Sequence, residues 1–302
     1  MTLMTPLPAL SSPHRQPIEI REATPADAEA AGRIMYEAFR RFHESRGFPP
    51  DFPNVEAATG LAAAQIDDPL VYGVVAVSGG RIVGSNFLTE GDPIRGVGPI
   101  SVDPDIQDSG VGRLLMQAVL KRGAAAHGVR LLQDAFNTKS MALYASLGFR
   151  AREPLAVMSG RPRGGLAADA RLRPMTPAGL PAADALAQRV HGFGRGAEVR
   201  AALARGTPLV LERDGRLVAY MTMPAFWILN HAVAETEDDL RALILGAGGT
   251  SAGEIGFLLP IRCAELLRWA LGQGFTILKP MTLMTGGDYR EPQGAWLPSV
   301  MY

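Results

Sequence analysis

The chain has a single cysteine, Cys263, among 302 residues. That excludes an internal disulfide framework and any cysteine-built metal centre, and it fits a reducing, cytoplasmic compartment. Nor is there an excess of charge: Lys plus Arg and Asp plus Glu number 30 each, and neither half of the chain departs far from that balance. Such a chain has no field to draw nucleic acid or anionic lipid. Long apolar runs are also missing. The longest uncharged stretch, Leu217 to Ala234, is interrupted by Pro224, Asn230 and His231, so it reads as two buried strands and not as a membrane span. The five histidines, His14, His43, His127, His191 and His231, show no metal-ligand spacing, and no metal is expected. Residues 1–17 lack the basic start and apolar core of a signal peptide and read as a disordered leader.

What is present suffices for a full core. Apolar residues make up 47%, and the length suits one large or two medium domains. Ile18 to Arg21 alternates as a short strand. Thr24-Pro25-Ala26-Asp27 then has the grammar of a helix start, and Ala31, Ile34, Met35, Ala38, Phe39 and Phe42 recur at helical spacing. A proline-rich loop through Pro53 separates this helix from an Ala-rich one over 55–66. Val71 to Val77 and Arg81 to Thr89 flank Ser78-Gly79-Gly80 as a hairpin, and Val97 to Val102 completes an antiparallel group of three. A sheet-covering helix over 113–127 leads to a strand over 129–136, which the crossover makes parallel to its predecessor. After Gly148-Phe149, a strand beginning at Leu155 returns antiparallel.

Beyond Gly160 the pattern repeats. Arg21, Thr24, Pro25 and Ala26 recur as Arg173, Thr176, Pro177 and Ala178, and Gly80-Arg81 recurs as Gly215-Arg216. Gly148-Phe149, Pro154, Met158 and Gly160 recur as Gly274-Phe275, Pro280, Met284 and Gly286. The offsets shrink from 152 through 135 to 126, as a duplication with deletions in its second copy would give. The expected organisation is a leader at 1–17, an active domain at 18–160, a linker at 161–170 and a degenerate domain at 171–302.

One stretch of the first copy looks chemical. In Gln107-Asp108-Ser109-Gly110-Val111-Gly112-Arg113, glycines two apart open a helix and leave backbone N–H groups without intrahelical partners, a ready anion site. Asn137, at the end of the following strand, and Tyr144 bring an amide and a phenol near it. The second copy has Glu235-Thr236-Glu237-Asp238-Asp239 at the corresponding place. Those acids would repel a phosphate, and Thr236 or Asp238 serves better as a helix cap.

Gln107 to Gly112 resembles the Q/R-x-x-G-x-G/A signature of the GNAT superfamily of acyl-CoA N-acyltransferases. Asn137 to Phe149 resembles that family's N-x-x-A-x-x-L-Y-x-x-L-G-F motif. The resemblance implies an α+β fold of two GNAT-like domains, each a mixed, mostly antiparallel sheet flanked by helices, with the first splayed to admit acyl-CoA. It implies that Gln107, Asp108, Ser109, Gly110, Val111, Gly112 and Arg113 hold the pyrophosphate. Ile100, Ser101 and Val102 would bond the pantetheine arm through their main chains, and Asn137 would meet it from the other side. Tyr144 falls at the position of the family's general acid, which protonates the departing thiolate.

Asp108 departs from the family pattern, where basic or small residues are usual. At ~6 Å and an effective dielectric near 20, its carboxylate would repel a phosphate charge by roughly 3 kcal/mol. For a general base the candidates are Glu90 or Asp92, just past the third strand, with Asp103 better suited to a turn. The resulting expectation is transfer of an acetyl group from acetyl-CoA to a primary amine of a small molecule or peptide. The alternative is a non-catalytic acyl-CoA-binding sensor. Neither the acceptor nor the oligomeric state is legible.

Overall fold

A computed structural model describes residues 16–107 and 109–301. Most of the expected leader, Asp108 and Tyr302 lie outside the described residues. The first half begins with β1 (Ile18–Glu22), α1 (Ala28–Glu44) and α2 (Val55–Asp67). It continues through β2 (Val71–Ser78), β3 (Arg81–Thr89), β4 (Ile94–Val97), β5 (Ser101–Val102) and α3 (Val111–Arg122). It ends with β6 (Gly128–Asp134), α4 (Thr138–Ser146) and β7 (Arg150–Gly160). Irregular chain over 161–170 leads to β8 (Arg171–Pro174), α5 (Leu180–His191), α6 (Gly196–Arg205), β9 (Leu209–Arg213) and β10 (Arg216–Met221). Then come β11 (Ala232–Ala234), α7 (Glu237–Thr250), β12 (Ile255–Pro260), α8 (Ala264–Gly272), β13 (Thr276–Gly287) and β14 (Ala295–Leu297). The fold is mixed α+β, with helices on the faces of two sheets. Among the described residues no helix is long and apolar enough to cross a membrane.

Local chemistry explains the element ends. Thr24 and Asp27 form a reciprocal capping box ahead of α1, and the Arg21 guanidinium, 2.7 Å from both Asp27 oxygens, holds that carboxyl down at about 2. Asn54 accepts from the Ala57 amide to start α2. Gly79 and Gly80 both have positive φ, which the tight hairpin turn between β2 and β3 requires. Two expectations change. The strand over 97–102 is broken by Gly98-Pro99 into β4 and β5, because proline has no N–H for a ladder. The helix expected over 113–127 closes at Arg122, with Gly123 to Ala125 as a single tighter turn.

The large sheet runs β1-β2-β3-β4-β6-β13-β7-β12, with β5 on β3; the smaller runs β14-β11-β10-β9-β8. The order contains a reciprocal exchange. β7 of the first half does not lie beside β6; β13 of the second half takes that place, antiparallel to β6 from Met281↔Asp134 to Gly287↔Gly128. In turn, β7 pairs with β12 of the second half. The two exchanged strands pair with each other, and Leu155 lies opposite Met281, its own equivalent at the 126-residue offset. A local pseudo-twofold axis therefore passes between them.

The cores follow the strands. Ala156 and Met158 of β7 pack among Leu211, Val218, Leu243 and Phe257 of the second half. Met284 of β13 packs among Val74, Leu115, Tyr144 and Phe149 of the first. Leu155, Val157, Met281 and Leu283 join a third cluster that includes Val210 and Tyr220. At roughly 1.5–3 kcal/mol for each large buried side chain, separating the halves costs more than a domain's usual net stability.

The first half alone, residues 16–165, should therefore lack a cooperative thermal transition and associate through the bared edge of β6. Circular dichroism melts and light scattering on that fragment check this; a monomeric fragment that melts cooperatively contradicts it.

Candidate active site

β4 and β6 are parallel partners only from Ile94↔Gly128 to Gly96↔Arg130. Past that point β5 turns to β3, and Leu131 to Asp134 of β6 pair only with β13. Two unpaired strand edges thus face each other across a wedge. A cavity of about 570 Å³ fills it. At one end lie Gln107, Ser109, Gly110, Val111, Gly112 and Arg113; Ile100, Ser101 and Val102 form one wall, and Asn137 and Tyr144 the other. All the residues expected to hold a cofactor, Asp108 apart, line this one space.

The loop is built for close approach. Gly110 has φ +89° at the start of α3, a conformation that penalises any side chain. At Gly112 a Cβ would meet only Leu143 and Val102, at 3.6 and 3.8 Å, so the protein's own packing does not demand a glycine there. Ser109 Oγ is buried with no hydrogen-bond partner among the described residues, and the Val111 and Gly112 amides precede the first bond of α3, from the Arg113 amide to the Gly110 carbonyl, and have no intrahelical acceptors. These donors all border the cavity.

Asn137 caps α4, its side chain accepting from the Ser140 amide at 3.1 Å, so its oxygen is engaged in local structure. Tyr144 is 5% exposed. Burial pushes its phenol up to about 12, opposed by the Ser140 side chain to which it hydrogen-bonds, while the charge of Asp134 adds to the rise. The phenol is protonated across the neutral range.

Neither expected base reaches the cavity. Glu90 pairs with Arg95 and, at 3.0 Å, with Arg122. Asp92 receives the Ala197 and Glu198 amides at 2.9 and 3.1 Å and caps α6 of the second half. Both carboxylates lie beyond the paired end of β3 and β4, where they hold elements together.

The wall carries instead a buried cluster that residue spacing did not reveal. His43 Nε2 lies 2.8 Å from Asp134 Oδ2 and 3.0 Å from Lys279 Nζ, and Lys279 Nζ lies 2.6 Å from Asp51 and 2.7 Å from Asp134. Asp51 and Asp134 line the cavity. Lys279 arrives on the exchanged strand, from the second half. The histidine and two carboxylates are spaced to hold a metal ion, but the ammonium of Lys279 occupies the centre where a cation would sit. The signal in the sequence was a lone lysine in the apolar run of β13 and a lone aspartate closing that of β6.

Among the described residues the second half lacks such a wedge. β14 pairs with β11, from Ala232↔Leu297 to Ala234↔Ala295, and packs against β12. Thr236 caps α7, accepting from the Asp239 amide, in place of a glycine turn.

The model of the acetyltransferase (GNAT) family matches residues 33–149, the segment that carries the loop, Asn137 and Tyr144. Over this segment the chain is similar to the GNAT acetyltransferase family. A mycothiol acetyltransferase of Pseudarthrobacter chlorophenolicus is 29% identical over 154 residues, 47% of this chain and 45% of that one. The chain spans less than half the length of the curated relatives it matches. A crystal structure from Pyrococcus horikoshii, assigned as an acetyltransferase, superposes with a TM-score of 0.75 at 16% identity over 97% of both chains. A tandem GNAT protein from the clavulanic acid biosynthesis pathway superposes with 0.57 at 16% identity, over 89% of this chain and 98% of that one. At these identities the likeness is one of fold, and it extends the GNAT architecture over both halves.

Glu90→Gln should leave the properties of the cavity unchanged within about twofold, and Asp92→Ala should cost about 1 kcal/mol through the lost α6 cap. Chemical denaturation with ligand titration checks both; a collapse of ligand affinity in Glu90→Gln would restore that residue to the site.

Proposed function

We propose that the chain transfers the acetyl group of acetyl-CoA to a primary amine, within the first half. The observation that carries this reading is the convergence on one cavity of the glycine turn, two unpaired strand edges and a buried, protonated phenol. The amides of the turn, Ser109 Oγ and Arg113 bind the pyrophosphate. The edge of β5 takes the pantetheine arm as an added strand, with its amide groups paired to main chain. Gly112 is explained by this contact, since nothing else near it needs a missing Cβ.

The amine nitrogen attacks the thioester carbon, a C–N bond forms, and the C–S bond breaks with its electron pair passing to sulfur. Tyr144 meets that charge. With its pKa near 12, full transfer to a thiolate of ordinary basicity runs uphill by about 1.4 kcal/mol per unit. The phenol therefore acts first as a hydrogen-bond donor to the leaving sulfur, and delivers its proton as the amide product sheds one.

The acceptor end is apolar. Phe39, Phe52, Leu61, Trp227, Met281 and Met301 line it, and the charged groups there are mostly turned to each other. A compact amine with an aliphatic or aromatic body fits this chamber better than a polycation or an extended peptide.

A thiol-release assay over a panel of amines, with calorimetry for acetyl-CoA, tests the reading. Compact apolar amines should turn over, and Tyr144→Phe should lower the rate by ~10²-fold or more with acetyl-CoA affinity within about twofold. Gly112→Ala should weaken acetyl-CoA by about tenfold or more while leaving the melting temperature equal or higher, because alanine favours the helix. Binding without thiol release on any amine would leave a binding module in place of an enzyme.

A further inference from the structure

We infer that His43, Asp134, Asp51 and Lys279 form the proton acceptor for the incoming amine, with Lys279 as a positioning residue supplied by the second half. The inference rests on the acetyl-transfer reading and adds to it the groups that deprotonate the acceptor.

The protons can be counted from the contacts. His43 Nδ1 lies 2.8 Å from the Phe39 carbonyl oxygen, which only accepts, so Nδ1 carries a hydrogen. The remaining chemistry belongs to Nε2. With a neutral imidazole, the cluster holds two carboxylates and one ammonium, a net charge of one minus. The Nε2 lone pair then accepts from Lys279 Nζ at 3.0 Å, but Asp134 Oδ2 stands even nearer, at 2.8 Å, acceptor against acceptor. One added proton converts that contact to an N–H···O bond and brings the cluster to neutrality. With a neutral imidazole the cluster carries one uncompensated negative charge, and buried sites penalise unbalanced charge.

Its position supplies the donor. Asp51 and Asp134 face the cavity, while His43 and Lys279 are almost wholly enclosed behind them. Asp134 lies within electrostatic reach of the Tyr144 phenol, so proton acceptor and leaving-group donor bracket one space. Lys279 and His43 hold Asp134 below the usual carboxylate range against its burial, whereas burial raises Asp51. Asp134 therefore relays a proton better than it stores one, and Nε2, 2.8 Å behind it, is the next acceptor in line. The titratable groups facing the imidazole are Asp134, Asp51 and Lys279; the rings of Phe39, Phe42 and Phe136 also pack around it.

The balance closes. An ammonium R–NH3+ gives one proton through Asp134 to Nε2. The free amine attacks, loses a second proton after the C–N bond forms, and CoA leaves as the thiol. The proton on Nε2 returns to solvent when product departs. The net change is one amide, one thiol and one released proton.

The test uses the full chain. Wild-type kcat/KM should fall on an acidic limb, and the His43 imidazole, assigned in NMR spectra by its loss in His43→Gln, should titrate with the same midpoint. Removing a cation beside an imidazole eases its protonation, so Lys279→Met should move both midpoints up by about one pH unit, and Lys279→Arg should restore them. Should Lys279→Met fail to fold, Asp51→Asn serves: loss of an anion 3.8 Å from Nε2 should move both midpoints down. An NMR midpoint that moves while the kinetic limb stays makes the cluster purely structural and overturns the inference alone. Acetyl-CoA binding with no thiol release on any amine in the wild-type chain overturns the acetyl-transfer reading and the inference with it.

Discussion

The antiparallel pairing of β7 with β13 is the constraint on which the rest of the molecule depends. Each strand stands in the other half's sheet, and they meet around Leu155 and Met281. Because the side-chain period of a strand is two, a slip of one residue would turn Met284 out of the first core and Met158 out of the second together. One register therefore sets both cores. It also sets the site, since Met281 opposite Asp134 fixes how far Lys279 stands from the end of β6.

Symmetry in the backbone has been spent asymmetrically in the side chains. At the 126-residue offset, Lys279 corresponds to Glu153 and Asp134 to Pro260. Glu153 is buried against Arg262 at 2.7 Å, an ordinary ion pair, whereas Lys279 joins the cluster beside the cavity. The wedge of the first half is empty of protein, and that of the second is taken by β14. The chain then continues past Ser299, whose hydroxyl donates to Glu198, and Val300 and Met301 reach the first half's cavity. The second half thus closes its own wedge, lends a lysine and walls part of the first half's cavity.

Much of this was legible before any coordinates. The duplication, the hairpin glycines, the Thr24 to Asp27 start and the loop at 107–113 are local patterns, and local patterns survive in a sequence. The exchange was not legible, because β7 and β13 have the same apolar character and either would fit beside β6; only packing decides which does. Glu90 and Asp92 looked like bases because acids past the third strand lie near the site in sequence. Their partners are Arg95 five residues on and, from elsewhere in the fold, Arg122 and the start of α6. His43, Asp51, Asp134 and Lys279 span 236 residues of sequence separation, and no spacing rule gathers them. What marks them in hindsight is cost: a charge inside an apolar strand needs a partner to be tolerated.

The central claim is that one half of a duplicated fold holds acetyl-CoA and the other cannot. Isothermal titration of the full chain with acetyl-CoA measures this directly through its stoichiometry. The account predicts one molar equivalent bound per chain, lost when the turn at Gly110 and Gly112 is replaced. Two equivalents, or one that survives that replacement, would contradict it.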